Sequence, residues 1–341
     1  ALRQPSKTAS PEPNMLEAIH YYQSFQLEKV RTDAPRVAAS CLARGDAWSA
    51  SSVEFYGAWA EIYCGGPELG AVALRDAMTR AEKIGHYGAV WALKIGASVV
   101  SAARGDLAAS RAETVEAWDF GAAHNVGWNF ATSIQRGHLA LWSGDLAETE
   151  SWYSQGLKVE GKSYLSGLSE ACLFAAFAES GDSRAESAWT RRHWKSPVSG
   201  QLNSLGAWTG LERSVIGLAH LGRTEDLAAL RPLTEELILT GAWTYSLLSP
   251  FRTVAGITAA CAGDLPAAEH HHLTALHQTE TAPYRHLQPV AMEWYAMMLL
   301  QRNESGDREK ARALLDEAIA RHQSMGLPFR ARHACETRAL L

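Results

Sequence analysis

A glycine recurs along this chain at an almost constant interval, each time between two apolar stretches. The dipeptide Gly-Asp occurs at 105–106, 144–145, 181–182, 263–264 and 306–307, and Gly66 and Gly222 occupy two further places in the same series. Successive glycines are 39, 39, 37, 41, 41 and 43 residues apart. A period of about 40 residues with a turn signal between apolar stretches is typical of stacked helix pairs. The sequence therefore predicts a solenoid.

The last repeat shows why each unit is expected to be a pair of helices. Asp307 can cap a helix start by accepting hydrogen bonds from nearby backbone N–H groups. Over 311–318, apolar residues recur at three- and four-residue steps, as on one face of a helix. Gly326 then provides a helix end, and Pro328 prevents continuation. A second helix precedes each glycine from Gly105 onward, at 89–103, 128–142, 166–179, 205–220, 253–262 and 290–302.

These patterns predict an all-α fold: an α-solenoid of tetratricopeptide-like antiparallel helix pairs, with a period of about 40 residues, that winds into a superhelix. Residues 1–13, which contain Pro5, Pro11 and Pro13, are expected to be a linker or disordered edge. The solenoid is expected to cover 14–341, with a first pair at 14–64 and repeats punctuated at Gly66, Gly105, Gly144, Gly181, Gly222, Gly263 and Gly306.

Composition limits the classes of partner. The formal net charge is −5, the pI is about 6.2, and no long basic run occurs, so neither nucleic acid nor a membrane surface is an expected partner. No apolar stretch approaches the roughly 20 residues that a bilayer span needs. The five cysteines are widely spaced in apolar stretches, which favours reduced core residues in a cytoplasmic protein.

The segments 311–320 and 322–329 resemble the C-terminal repeat region of large bacterial signal-transduction ATPases, and 103–109 and 142–148 have the same style. Those proteins carry a LuxR-type DNA-binding domain or a class III nucleotide cyclase domain. The resemblance implies that this chain is a helical-repeat part of a larger regulator, serving as a sensor or a docking surface. It carries over no catalytic residue.

Motifs that would indicate chemistry are weak. The stretch 156–163 is similar to a phosphate-binding loop but is one residue too short between its glycines. His270, His271, His272 and His277, near Glu269, lack zinc-ligand spacing, so a solvated helix face is favoured over a metal site. There is no GxSxG elbow. We therefore expect no enzyme activity, no cofactor and no metal.

Aromatic and charged residues near the starts of the presumed inner helices are the candidate binding residues. Trp91 and Trp208 lie 14 residues before their glycines, a position that suits either the core between repeats or an aromatic groove. A second row, 11 residues before the glycines, alternates charges and is expected to line a concave face. The candidates are Trp91, Lys94, Trp128, Arg136, Glu170, Trp208, Tyr245 and Arg252.

The leading functional hypothesis is a non-catalytic sensor or scaffold that binds a protein segment or effector in a concave groove. The alternative is a small-ligand receptor whose groove closes into an aromatic pocket, which the excess of tryptophan and tyrosine favours. An enzyme with a site assembled between repeats is the third possibility. The sequence leaves the identity of the ligand and the oligomeric state open.

Overall fold

The structure is a computed structural model that describes residues 14–127, 129–161, 163–245 and 247–341, with Phe130 described by its backbone alone. Within these ranges the chain forms seventeen α-helices and no strand. The helices are α1 (Met15–Gln23), α2 (Leu27–Ala43), α3 (Ala47–Ala60), α4 (Pro67–Lys83), α5 (Tyr87–Ala103), α6 (Leu107–Ala123), α7 (Phe130–Ser143), α8 (Leu146–Val159), α9 (Leu168–Glu179), α10 (Arg184–Thr190), α11 (Leu205–His220), α12 (Thr224–Ile238), α13 (Phe251–Cys261), α14 (Leu265–Thr281), α15 (Leu287–Arg302), α16 (Asp307–Ser324) and α17 (Pro328–Arg338).

The helices form two sets that differ in their surroundings. Apart from the step from α10 to α11, each helix contacts the next one along the chain, and odd-numbered helices also contact one another at the steps α1–α3, α3–α5, α5–α7, α9–α11, α11–α13 and α13–α15. The odd-numbered helices are the more buried: α11 is buried along most of its length, whereas α12 buries only Leu227, Thr234 and Leu237. The odd-numbered helices therefore form an inner row, and the even-numbered helices cover it.

The recurring glycines lie at the turns from an inner helix to the next outer helix. All seven have positive φ, for example +81° at Gly105 and +83° at Gly144, a conformation that glycine adopts without steric cost. The aspartate that follows can then cap the outer helix, as Asp106 does by accepting from the backbone N–H of Ala109 at 2.9 Å. The periodic signal in the sequence is therefore a turn signal.

Later parts of the chain return to contact earlier parts. The backbone N–H of Trp243 donates to the carbonyl of Tyr63 at 2.8 Å, and the Tyr284 hydroxyl donates to the carbonyl of Ile62. Near the C-terminus, α17 contacts α7. The inner row therefore curves enough to enclose an interior, which is where the candidate site lies.

Some local expectations were wrong. Segment 14–64 holds three helices and a π-helical turn rather than one pair, and α2 continues through Pro35. Asp307 does not cap α16 from outside but is its first residue, and its buried carboxylate binds Arg302. Cys41, Cys64 and Cys172 are buried as expected, but Cys335 is exposed.

Candidate functional site

The inner row encloses a cavity of about 240 Å³. Its walls come from α1, α3, α5, α7 and the start of α9, together with the segment 163–165 and the returning residue Tyr245. Aromatic side chains dominate the lining: Tyr22, Phe55, Tyr56, Trp59, Tyr63, Trp91, Tyr164 and Tyr245. Apolar pockets with a few polar groups are the usual form of small-molecule sites.

The aromatic rings support one another in the walls. The ring centroids of Tyr22 and Tyr56 are 4.7 Å apart, and those of Tyr63 and Tyr245 are 4.8 Å apart. Trp91 is fixed from behind, because its indole N–H lies 3.0 Å from Asn129 Oδ1 and 3.2 Å from Thr132 Oγ1. Packed rings of this kind keep their positions in the absence of a ligand, which lowers the entropic cost of binding.

The lining contains no charged side chain among the described residues that form it. Burial raises the pKa of Tyr164 to about 12 and that of Tyr22 well above its ordinary value. The phenols therefore remain neutral at physiological pH. An uncharged surface of this composition favours apolar groups and disfavours ions.

Gln135 places a buried amide at the cavity wall. It belongs to α7 and is 4% exposed, yet its side-chain nitrogen has no hydrogen-bond partner among the described residues. Leaving a buried amide unpaired costs about 1–3 kcal/mol. A ligand group within reach of Gln135 would recover that cost.

The segment that carries Tyr164 is held from two sides. The carboxylate of Glu160 accepts from the backbone N–H groups of Gly167 at 2.7 Å and Ser169 at 3.1 Å. On the other side, the N–H of Gly206 donates to the carbonyl of Tyr164 at 2.7 Å, and a Cβ at 206 would lie 2.7 Å from backbone atoms of this segment. The close approach of α11 therefore requires glycine there and fixes this wall of the cavity.

The structure brings together two of the residues singled out from the sequence. Trp91 and Tyr245 both line the cavity, although 154 positions separate them in the chain (245 − 91). Trp208 is buried but lies outside the lining. Trp128 falls outside the described residues.

The row of charged candidates does not face the cavity. Lys94 pairs with Glu116 of α6 at 2.5 Å, and Arg136 lies over the rings of Trp118 and Trp152 on α6 and α8. Arg252 lies 3.2 Å from the ring nitrogen of His271 on α14. These side chains extend from inner helices toward outer helices, because their long aliphatic stems place the charged heads near solvent.

Glu170 lies at a separate surface depression. Its carboxylate accepts from the backbone N–H of His193 at 3.0 Å and lies 3.2 Å from the ring of the same histidine. The depression is also lined by Glu160, Trp194 and Lys195. Its position is thus apart from the aromatic cavity.

Several lining residues carried no signal that repeat counting could detect. Tyr22, Tyr56 and Trp59 precede the first counted glycine, and Tyr164 lies in an irregular connection. They meet only because the inner row curves, which positions within a repeat do not reveal. The signal that was available is compositional, namely the excess of tyrosine and tryptophan.

A buried ion cluster lies at the other end of α9. We define it as Glu179, Glu212, Arg213 and Arg330. The Arg213 guanidinium binds Glu212 and lies 3.7 Å from Glu179, and Arg330 lies 3.0 Å from Glu179. All four side chains are at most 8% exposed. Two carboxylates face two guanidinium groups, so the cluster is balanced in charge.

The two carboxyl groups of this cluster respond differently to burial. For Glu179, burial raises the pKa, but Arg330 and the other nearby cations outweigh it and leave the pKa below the usual range. For Glu212, burial prevails over Arg213 and the pKa is raised. Arg330 comes from α17, so the cluster ties the C-terminal helix to the inner row.

The expectation of a solvated histidine face was wrong in part: His270 and His277 are exposed, but His271 and His272 are buried. His271 and His272 are 4% and 1% exposed, and the His272 ring stacks on Tyr295. Burial lowers the pKa of His272 to about 3, so the ring is neutral. Over the described ranges, no group of three or more histidine, cysteine or acidic residues is placed to hold a metal ion.

Comparison with models of protein families gives no match, and no curated protein matches the sequence. In the part of the chain that the structure describes, no helix combines the length and apolar character needed to cross a bilayer.

Proposed function

We propose that this chain is a non-catalytic receptor domain that binds a small effector in the aromatic cavity. The observation that carries the proposal is the cavity itself: a space of about 240 Å³ lined by eight aromatic residues and no charged one, within the described residues. Of the two binding hypotheses, the aromatic pocket is favoured over the open groove, because the charged row that would line a groove contacts outer helices instead.

We further propose that the fold is a tetratricopeptide-like solenoid wound into a superhelix. Support comes from the alternation of inner and outer helices, from the positive φ of the periodic glycines, and from the return of Trp243 and Tyr284 to the region of Ile62 and Tyr63. In such a stack the inner helices of many repeats converge on one interior. The cavity is therefore a product of the curvature.

The resemblance of segments 103–109, 142–148 and 311–329 to the repeat regions of bacterial signal-transduction ATPases leads to a wider proposal. In it, this chain is the sensing part of a larger cytoplasmic regulator, and occupancy of the cavity changes how the repeats pack. A ligand that binds one packing more tightly than another shifts the balance between them.

The proposal predicts that a small molecule accompanies the protein when it is purified from its native cell. Native mass spectrometry of the folded protein should show a single added mass below that of any polypeptide, released on unfolding. Ala131 lines the cavity from α7. Replacing it by tryptophan would fill much of the space, so the Ala131→Trp protein should lose the added mass.

Ala112→Trp is the matched control, because Ala112 is exposed on the outer helix α6. That variant should keep the added mass, and circular dichroism should show that both variants are folded. If Ala92→Phe, a second cavity-filling change, and Ala131→Trp both retain the same small molecule, it binds elsewhere and the proposal fails. Retention of only a polypeptide by all variants would favour the docking hypothesis instead.

A further inference from the structure

We infer that the cavity selects an uncharged, ring-bearing molecule that presents one hydrogen-bond acceptor to Gln135. This inference rests on the proposed function and specifies its ligand class. Three properties of the wall carry it: the lack of charge among the lining side chains that the structure describes, the paired aromatic rings, and the unpaired amide.

The first property excludes ions. A charged group moved from water into an apolar site needs an opposite charge or several hydrogen bonds to compensate for lost hydration. The charged side chains nearest in sequence to the lining on α5 and α7, Lys94 and Arg136, are directed to outer helices and are paired or stacked there. Nothing in the lining that is described can neutralise a carboxylate, a phosphate or an ammonium group.

The second property favours flat rings. Tyr22 packs on Tyr56 and Tyr63 packs on Tyr245, so aromatic faces and edges border the space from α1, α3 and the returning loop. Aromatic pairs contribute about 0.5–1.5 kcal/mol beyond simple burial of area. A planar ring system can exploit several such contacts at once, whereas a flexible chain loses more rotational freedom on binding.

The third property, the unpaired amide, indicates which polar group the ligand carries. The Gln135 side-chain nitrogen is buried at the wall without a partner among the described residues, and an amide N–H donates to a carbonyl, ether or hydroxyl oxygen. Gln23 also lines the cavity but is only half-buried, so its amide is less dependent on a ligand. An apolar molecule with one hydrogen-bond acceptor would therefore complement a wall that has one unpaired buried amide.

The first test compares two probes that share an anilinonaphthalene frame. N-phenyl-1-naphthylamine is neutral, and 1-anilinonaphthalene-8-sulfonate carries a negative charge. Titration of the purified full chain, followed by quenching of tryptophan emission, should give about 100-fold tighter binding of the neutral probe. The Ala131→Trp protein should bind neither in the cavity.

The outcomes distinguish a wrong ligand class from a cavity that binds no ligand. If the sulfonate binds within about tenfold of the neutral probe, and both are lost in Ala131→Trp, the receptor proposal stands and the inferred ligand class is wrong. If neither probe responds to Ala131→Trp or Ala92→Phe, the cavity is not a ligand site and both proposals fail. Selective binding of the neutral probe that both variants abolish supports both.

The second test addresses Gln135 with 2-acetylnaphthalene and 2-ethylnaphthalene, which differ in a carbonyl group. Gln135→Leu should weaken binding of the ketone about 3- to 10-fold and leave the hydrocarbon unchanged or slightly tighter. Gln155→Leu is the matched control, because Gln155 is half-buried on α8 and does not line the cavity, and it should affect both probes little. Equal changes for both probes in Gln135→Leu would show that the amide makes no hydrogen bond to the ligand.

Discussion

Replacing Arg213 by methionine is expected to lower the free energy of unfolding at pH 7 by about 3–5 kcal/mol. Methionine fills much of the same volume but leaves Glu212 buried without its cation, and it removes one of two guanidinium groups near Glu179. An uncompensated buried charge is far more costly than a lost surface pair. Urea unfolding at pH 7, followed by circular dichroism, measures the change.

Two comparisons distinguish this explanation from a general loss of an arginine. Arg223→Met removes an arginine that pairs with Glu186 and Asp226 at the surface, and it should cost no more than about 1 kcal/mol. The double change Glu212→Gln with Arg213→Met removes the stranded carboxylate and should recover much of the loss. If Arg213→Met were as mild as Arg223→Met, the ion cluster would not hold the inner row together.

Acid is expected to destabilise the protein strongly between pH 6.5 and pH 3. Burial lowers the pKa of both His272 and His322 to about 3 in the folded chain, and neither ring nitrogen of either residue has a partner among the described residues. The unfolded chain, with a histidine pKa of about 6.5, binds protons that the folded chain excludes. The contribution of these two histidines to stability is therefore fully present above pH 6.5 and is lost as the pH falls toward 3.

The size of this effect follows from linkage. At pH 5 each of the two histidines should reduce the free energy of unfolding by about 2 kcal/mol relative to pH 7. In His272→Leu, the difference between pH 7 and pH 5 should shrink by about that amount, whatever the substitution does at pH 7. The same substitution at exposed His270 is the matched control. An unchanged pH difference in His272→Leu would mean that this ring is protonated or solvated when folded.

The helical fold could be predicted because its signals are local. A glycine at a left-handed turn and a capping aspartate act within a few residues, so their recurrence marked the inner-to-outer turns at Gly105 and Gly144. The predicted helix at 205–220 coincides with α11 for the same reason. Segment 14–64 was the exception, because it holds three helices where one pair was expected. One of them, α2, continues through Pro35, a residue that usually ends or kinks a helix.

The sequence could predict that an aromatic site exists, but not which residues would line it. Tyr63 and Tyr245 meet because the chain curves back on itself, and no spacing within a repeat encodes that curvature. The charged row was misplaced because an alternation of charges indicates a polar environment but not which neighbour supplies it. The partners of Lys94 and Arg136 lie on the outer helices. Likewise, the consecutive histidines were expected to lie on a solvated helix face, whereas the packing of α14 buries His271 and His272.

Anomalous diffraction from crystals soaked in 2-bromonaphthalene tests directly whether the aromatic cavity holds a small uncharged molecule. We expect one dominant bromine peak inside the cavity, in contact with the rings of Trp91 and Tyr245, and no such peak in Ala131→Trp crystals. A cavity closed by its own side chains, or a dominant peak elsewhere in both crystals, would contradict it.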